Sequence, residues 1–156
     1  MVYIIDTSSF IVLGHYFPER FPSFWEKFNS FVANHQIIST REVYNELDNE
    51  ISKKHLMDWV NVNKSIFLTP CSEETSFVSE IFKIPHFHQL IKQKQMLTNG
   101  PAADPFVIAL AKVQDACVVT EESNKKNSAK IPTVCEYFGI TCINLESLME
   151  RESWSF

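Results

Sequence analysis

The chain has 156 residues, 45% of them hydrophobic, and only three glycines. That is enough apolar material for the core of one domain and too little glycine for a glycine-rich phosphate loop. A formal net charge of −5 argues against tight, sequence-reading binding to DNA, which calls for a basic surface.

Val2–Ile5 is an apolar run that reads as a buried parallel strand, and it ends at Asp6. Phe21, Phe24, Trp25, Phe28 and Phe31 recur at helical spacing, so a helix with an aromatic face follows, and that face reads as core rather than as a base-stacking platform. Gln36–Ile38 forms a second strand, and Ser39 with Glu42 matches a capping box opening the next helix. On that helix Val43, Glu46, Leu47 and Ile51 share or adjoin one face, with Glu42 and Glu50 expected opposite. His55–Val62 is helical, and Ile66–Leu68 is a third strand ended by Pro70.

Glu73–Lys83 and Phe87–Gln95 read as two helices broken at Pro85, and Asn99-Gly100-Pro101 is a turn. Asp104–Gln114 is a helix rich in Ala and Val, with Asp104 and Pro105 as its N-cap and first position. Cys117–Thr120 is strand four, and Ser123–Lys130 is a loop. Ile131–Phe138 is a helix stopped by Gly139. Thr141–Leu145 is strand five, Glu146–Glu150 opens a short helix, and 151–156 is a tail to a domain spanning 1–150. Strands alternating with helices predict an α/β domain: a mainly parallel central sheet with helices on both faces. Cys71, Cys117, Cys135 and Cys142 make no C-x-x-C pair, so they read as reduced thiols, those at 117 and 142 buried.

In open α/β sheets ligands bind beyond the carboxyl ends of the strands. Asp6 stands there, and so do Thr120, Glu121 and Glu122, while Glu46 lies beside an inward helix face and Asp104 at a helix start. Acidic groups gathered at one edge hold hard divalent cations through oxygen. Each piece alone has a plainer use: Asp6 and Asp104 cap helices, Glu46 edges an apolar stripe, Thr120 is a β-branched strand residue, and Glu121 and Glu122 are loop charges. Lys125, Lys126 and Lys130 give a basic rim suited to a transiently held polyanion, whereas Lys92 and Lys94 read as a solvated face. His86 and His88 have no third ligand in a compatible motif and read as surface residues.

Taken together, the order of these pieces resembles the PIN-domain family. The resemblance rests on Asp6-Thr7-Ser8 closing strand one, Glu46 within REVYNEL, Ala103-Asp104 with Val107, Ala109 and Ala111, and Thr120-Glu121-Glu122. It runs from Val2 to Leu145. Phe10 stands where Leu or Ile is usual, Glu122 where Asp is usual, and the loop 123–130 is longer and more basic than the pattern requires. The resemblance implies a metal-dependent ribonuclease using Mg2+ or Mn2+, held by Asp6, Glu46, Asp104 and Glu122, with Glu121 as the alternative to Glu122. It implies that Thr7, Ser8 and Thr120 orient ligands or substrate and that Lys125 and Lys126 guide single-stranded or structured RNA. A toxin silenced by a cognate antitoxin is the further implication, with a homodimer left open. The alternative is a non-catalytic PIN-like module that binds RNA or protein. A haloacid-dehalogenase-type phosphohydrolase is disfavoured, because Ser8 stands where that chemistry needs a second Asp. The first strand begins at Val2 and no apolar stretch could cross a bilayer, so a cytoplasmic protein without a signal peptide is expected.

Overall fold

Tyr3, Ile4 and Ile5 are fully buried, as a strand covered on both faces must be, and they form the central strand β1 (Tyr3–Ile5). The computed structural model describes residues 1–91 and 102–156. Around β1 stand β2 (Ile37–Thr40), β3 (Phe67–Leu68), β4 (Cys117–Val119) and β5 (Cys142–Ile143). Their order is β3-β2-β1-β4-β5, and every pair is parallel. The sheet therefore grows outward from β1 through β2 to β3, then jumps back to β4 on the other side. The crevice between β1 and β4 is the point where strand order reverses, and ligands bind at such a point. Ile4 pairs with Ile38 and Ile5 with Val119, so Asp6, Thr40 and Thr120 leave the sheet at the same edge.

The helices are α1 (Thr7–Leu13), α2 (Pro22–Ala33), α3 (Arg41–Glu50), α4 (Lys54–Val62), α5 (Ser72–Phe82), α6 (Asp104–Gln114), α7 (Ile131–Phe138) and α8 (Leu145–Arg151). α6 lies across β1, β2 and β4 and packs against α5 and α7. It is buried nearly all round, from Asp104 through Pro105, Val107, Ile108, Ala109, Leu110 and Ala111, and its alanines let it approach the sheet closely. An acidic residue is thereby carried into the interior on a rigid element. On α2, Phe24, Trp25 and Phe28 are buried, with Trp25 and Phe28 at 5.8 and 5.5 Å from the Trp59 ring. The aromatic stripe is core. The last residues join it: Trp154 sits 4.9 Å from Phe31, Phe156 sits 5.7 Å from Phe24, and the buried Tyr3 hydroxyl donates to Glu152.

Several local expectations are corrected. Ser39 and Thr40 extend β2 instead of opening a capping box; α3 starts at Arg41 and has no side-chain cap. Ser39 Oγ instead donates to the Ile5 carbonyl at 2.7 Å, a cross-strand bond that satisfies a polar group in the sheet interior. Glu42 is buried, not solvated, because Arg41 reaches it at 2.6 Å. Ala103 is the cap residue of α6, and Asp104 is its first helical residue. Leu145 begins α8 rather than ending β5, whereas α1 follows Asp6 with that residue as its cap, as its plainer use has it. Pro85–His88 is a short 3-10 turn, and residues 89–91 are helical. The rest of the expected Phe87–Gln95 helix, Lys92, Lys94 and the turn Asn99-Gly100-Pro101 lie outside the described residues. All four cysteines are free; Cys117 is buried and Cys142 half-buried. No helix among the described residues is long and apolar enough to cross a membrane.

Candidate active site

Asp6 is 3% exposed and is held by three donors. The Ser9 amide gives 2.9 Å to Oδ1, as in a helix cap. The Thr120 hydroxyl gives 2.7 Å to Oδ2, and the Ser8 hydroxyl lies 2.9 Å from both oxygens. Each hydroxyl is itself fixed from behind: the Glu121 amide donates to Ser8 Oγ at 3.0 Å and the Glu122 amide to Thr120 Oγ1 at 3.1 Å. The start of α1 and the end of β4 are thus joined through one carboxylate. Ser9, which no sequence pattern marks out, adds a second tie by donating to the Val119 carbonyl at 3.1 Å.

Burial raises the Asp6 pKa from 3.8 to about 6; the bonds from Thr120, Ser9 and Ser8 pull it down, and the negative charge of Asp104 pushes it up. Asp104 is 6% exposed. Two acids on different elements are therefore buried within electrostatic reach of each other.

Glu46 is 8% exposed and joins two further elements. Thr7 Oγ1 donates to its Oε2 at 2.5 Å, and the Ala103 amide donates to its Oε1 at 3.0 Å. A glutamate near a core face needs such partners. Through them Glu46 fixes the residue before Asp104 against the residue after Asp6. Thr40 Oγ1, at the same sheet edge, is buried with no hydrogen-bond partner among the described residues.

Glu121 and Glu122 do something that was not foreseen. The Leu145 amide donates to Glu121 Oε1 at 2.9 Å, and the Ile131 amide donates to Glu122 Oε2 at 3.1 Å. The two carboxylates thus cap the starts of α8 and α7, where unpaired amides and the helix dipole favour negative charge. Glu122→Ala is expected to cost the metal-free protein about 1 kcal/mol, lowering its Tm by about 2–4 °C. Melting curves in EDTA read this directly, and an unchanged Tm would show that the Ile131 bond carries no stability. Among the described residues no three His, Cys, Asp or Glu side chains form a group that could itself hold a metal ion.

The donor set is nonetheless that of a hard cation. Asp6 and Asp104 offer oxygen only, and Mg2+-like ions take one or two carboxylates and complete their shell with water or phosphate. The buried, unpartnered Thr40 hydroxyl is a polar group of the kind that a water or phosphate oxygen satisfies.

A family model, the domain of unknown function DUF4411, matches residues 3–156. The chain belongs to the DUF4411 family. Within this family, the present member has a PIN-like fold. It is similar to the crystal structure of VapBC2 from Rickettsia felis bound to a DNA fragment from their promoter. The TM-score is 0.51 and the identity 15%, over 92% of this chain and 98% of that one. It is similar also to PAE2754 from Pyrobaculum aerophilum, with TM-score 0.50 and identity 13%, over 97% of this chain and 88% of that one. No curated protein sequence matches this DUF4411 domain.

Proposed function

We propose that this domain is a Mg2+- or Mn2+-dependent ribonuclease that hydrolyses RNA phosphodiester bonds. The observation that carries the reading is the buried Asp6 carboxylate at the end of the central strand, kept near 6 in pKa by burial and by Asp104. Two buried acids repel each other, and a divalent cation between or beside them removes that cost.

Asp6 and Asp104 hold the cation. Such an ion supplies, when bound, acidity to water and a counter-charge to the phosphate. Ser8 and Thr120 keep both Asp6 oxygens aimed, because each hydroxyl is locked by a backbone amide. Glu46, anchored by Thr7 and Ala103, keeps α6 and its Asp104 in register with the strand edge. Glu122, the expected fourth ligand, and Glu121, its substitute, serve in this reading as helix caps bordering the site. Lys125 and Lys126, both exposed, attract the RNA backbone. The toxin role, with a cognate antitoxin as partner, is supported by the fold shared with the VapBC2 structure.

The second reading is a PIN-like module without turnover. It is favoured by the turn of Glu121 and Glu122 toward helix starts. Incubating the protein with single-stranded RNA and Mn2+, alongside thermal melts with the same ion, separates the two. Cleavage with Mn2+-dependent stabilisation supports the nuclease, and stabilisation without cleavage supports the module.

A further inference from the structure

Beside α7 lies a concavity of about 400 Å3, lined by neither Asp6 nor Asp104, with aromatic walls and a polar floor. His86, on the 3-10 turn, and Tyr137, on α7, are two of its rings. The buried Phe87 braces both, with centroids 5.9 Å from His86 and 5.3 Å from Tyr137. Phe138 adds an edge contact to Tyr137 at 4.9 Å. Tyr137 nevertheless remains 64% exposed. A large ring fixed from two sides and left open to solvent is a surface for stacking.

The floor comes from the loop after β4. Ser128 Oγ and Thr133 Oγ1 lie 2.7 Å apart, and His86 Nε2 lies 3.3 Å from the Ser128 carbonyl, fastening the loop to the 3-10 turn. Asn127 is exposed and adopts a left-handed backbone conformation, φ 64°, which asparagine tolerates well. Amide and hydroxyl groups of this kind pair with the edge of a base.

Charge decides among occupants. The chain is acidic overall, yet from Ser123 to Lys130 it carries Lys125, Lys126 and Lys130 and no acid. The one acidic residue lining the concavity, Glu136, already accepts from Asn124 Nδ2 at 3.0 Å. A polar floor and aromatic walls, with the floor set on a loop that carries three lysines, suit a polyanion of planar units. This loop also starts at the site itself, since Glu122 donates its amide to the hydroxyl that holds Asp6.

We infer that this concavity receives a nucleobase of single-stranded RNA, stacked on Tyr137, while Lys125 and Lys126 hold the neighbouring phosphates. The inference rests on the ribonuclease reading for its substrate and gives that substrate a second point of attachment.

The test is binding, measured apart from cleavage. A short fluorescein-labelled oligouridylate is titrated with the full chain in EDTA, and its anisotropy is followed at several salt concentrations. Tyr137→Ala is expected to weaken binding roughly ten-fold with an unchanged salt dependence. Tyr137→Phe, which keeps the ring, is expected to bind like the wild type. Lys125→Gln with Lys126→Gln is expected to flatten the salt dependence by roughly 0.7 per lysine. Tyr137→Ala binding as tightly as the wild type overturns the inference, and so does a wild type that ignores the oligonucleotide, an outcome that points to a protein ligand instead. If the wild type binds through Tyr137 but never cuts in Mn2+, the pocket stands and the nuclease reading falls. If it cuts while Tyr137→Ala alters neither binding nor cutting, the reverse holds.

Discussion

Asp6→Asn is expected to make the metal-free protein more stable at neutral pH, not less. The wild-type carboxyl has its pKa raised from 3.8 to about 6, chiefly by burial. A raised carboxyl pKa means that the folded state holds its proton more tightly than the unfolded chain does. The resulting stability is fully present below about pH 4 and is lost as pH rises through about 6. At neutral pH the ionised, buried group costs ~3 kcal/mol relative to its unfolded reference. Asparagine has no charge to bury. Its oxygen can still accept from the Ser9 amide, and the Thr120 and Ser8 hydroxyls can reorient toward its amide group. Denaturation across this pH range in EDTA checks the expectation: a falling curve for the wild type and a flatter, higher one for Asp6→Asn. A variant that is less stable than the wild type at neutral pH would mean that the hydrogen bonds outweigh the burial of charge.

The second large effect is on cation binding. Asp104→Asn is expected to weaken Mn2+ binding at least roughly 100-fold, since even groups that only orient metal ligands are worth 10–100-fold. At a free Mn2+ concentration about 100 times the wild-type Kd, linkage stabilises the wild type by about 2.7 kcal/mol. A 100-fold weaker variant gains only about 0.4 kcal/mol. For a chain of this length the wild-type gain raises Tm by about 5–10 °C, and the variant should show almost none of it. The fold itself should survive. Asp104 is a first-turn residue whose charge favours the helix dipole by about 0.3–1 kcal/mol, and its removal also relieves repulsion on Asp6. A full Mn2+ shift in Asp104→Asn would remove this residue from the site.

What could be read from the sequence was whatever a local pattern encodes. The apolar run ending at Asp6 announces a buried parallel strand and Cys117–Thr120 announces another, so Asp6 and Thr120 were legible as strand ends; that the two strands are neighbours appears only in the fold. The aromatic spacing of α2 announced core, and the position of Glu46 beside Val43 and Leu47 announced a buried acid. What escaped depends on partners distant in sequence. Ser39 looks like a cap until Ile5 is seen to accept its proton. Glu42 looks solvated unless Arg41 folds back onto it. Glu121 reaches a helix start 24 residues on, and Glu122 one nine residues on; neither distance leaves a periodic trace. The His86–Tyr137 concavity joins residues 51 positions apart, so only the folded chain brings those rings together.

The most direct test of the central claim is cleavage of a single-stranded RNA by wild type, Asp6→Asn and Asp104→Asn, each in Mn2+ and in EDTA. The account predicts cutting by the wild type in Mn2+ alone, with both variants inactive though folded. Cutting that persists in EDTA, or in either variant at the wild-type rate, would contradict it.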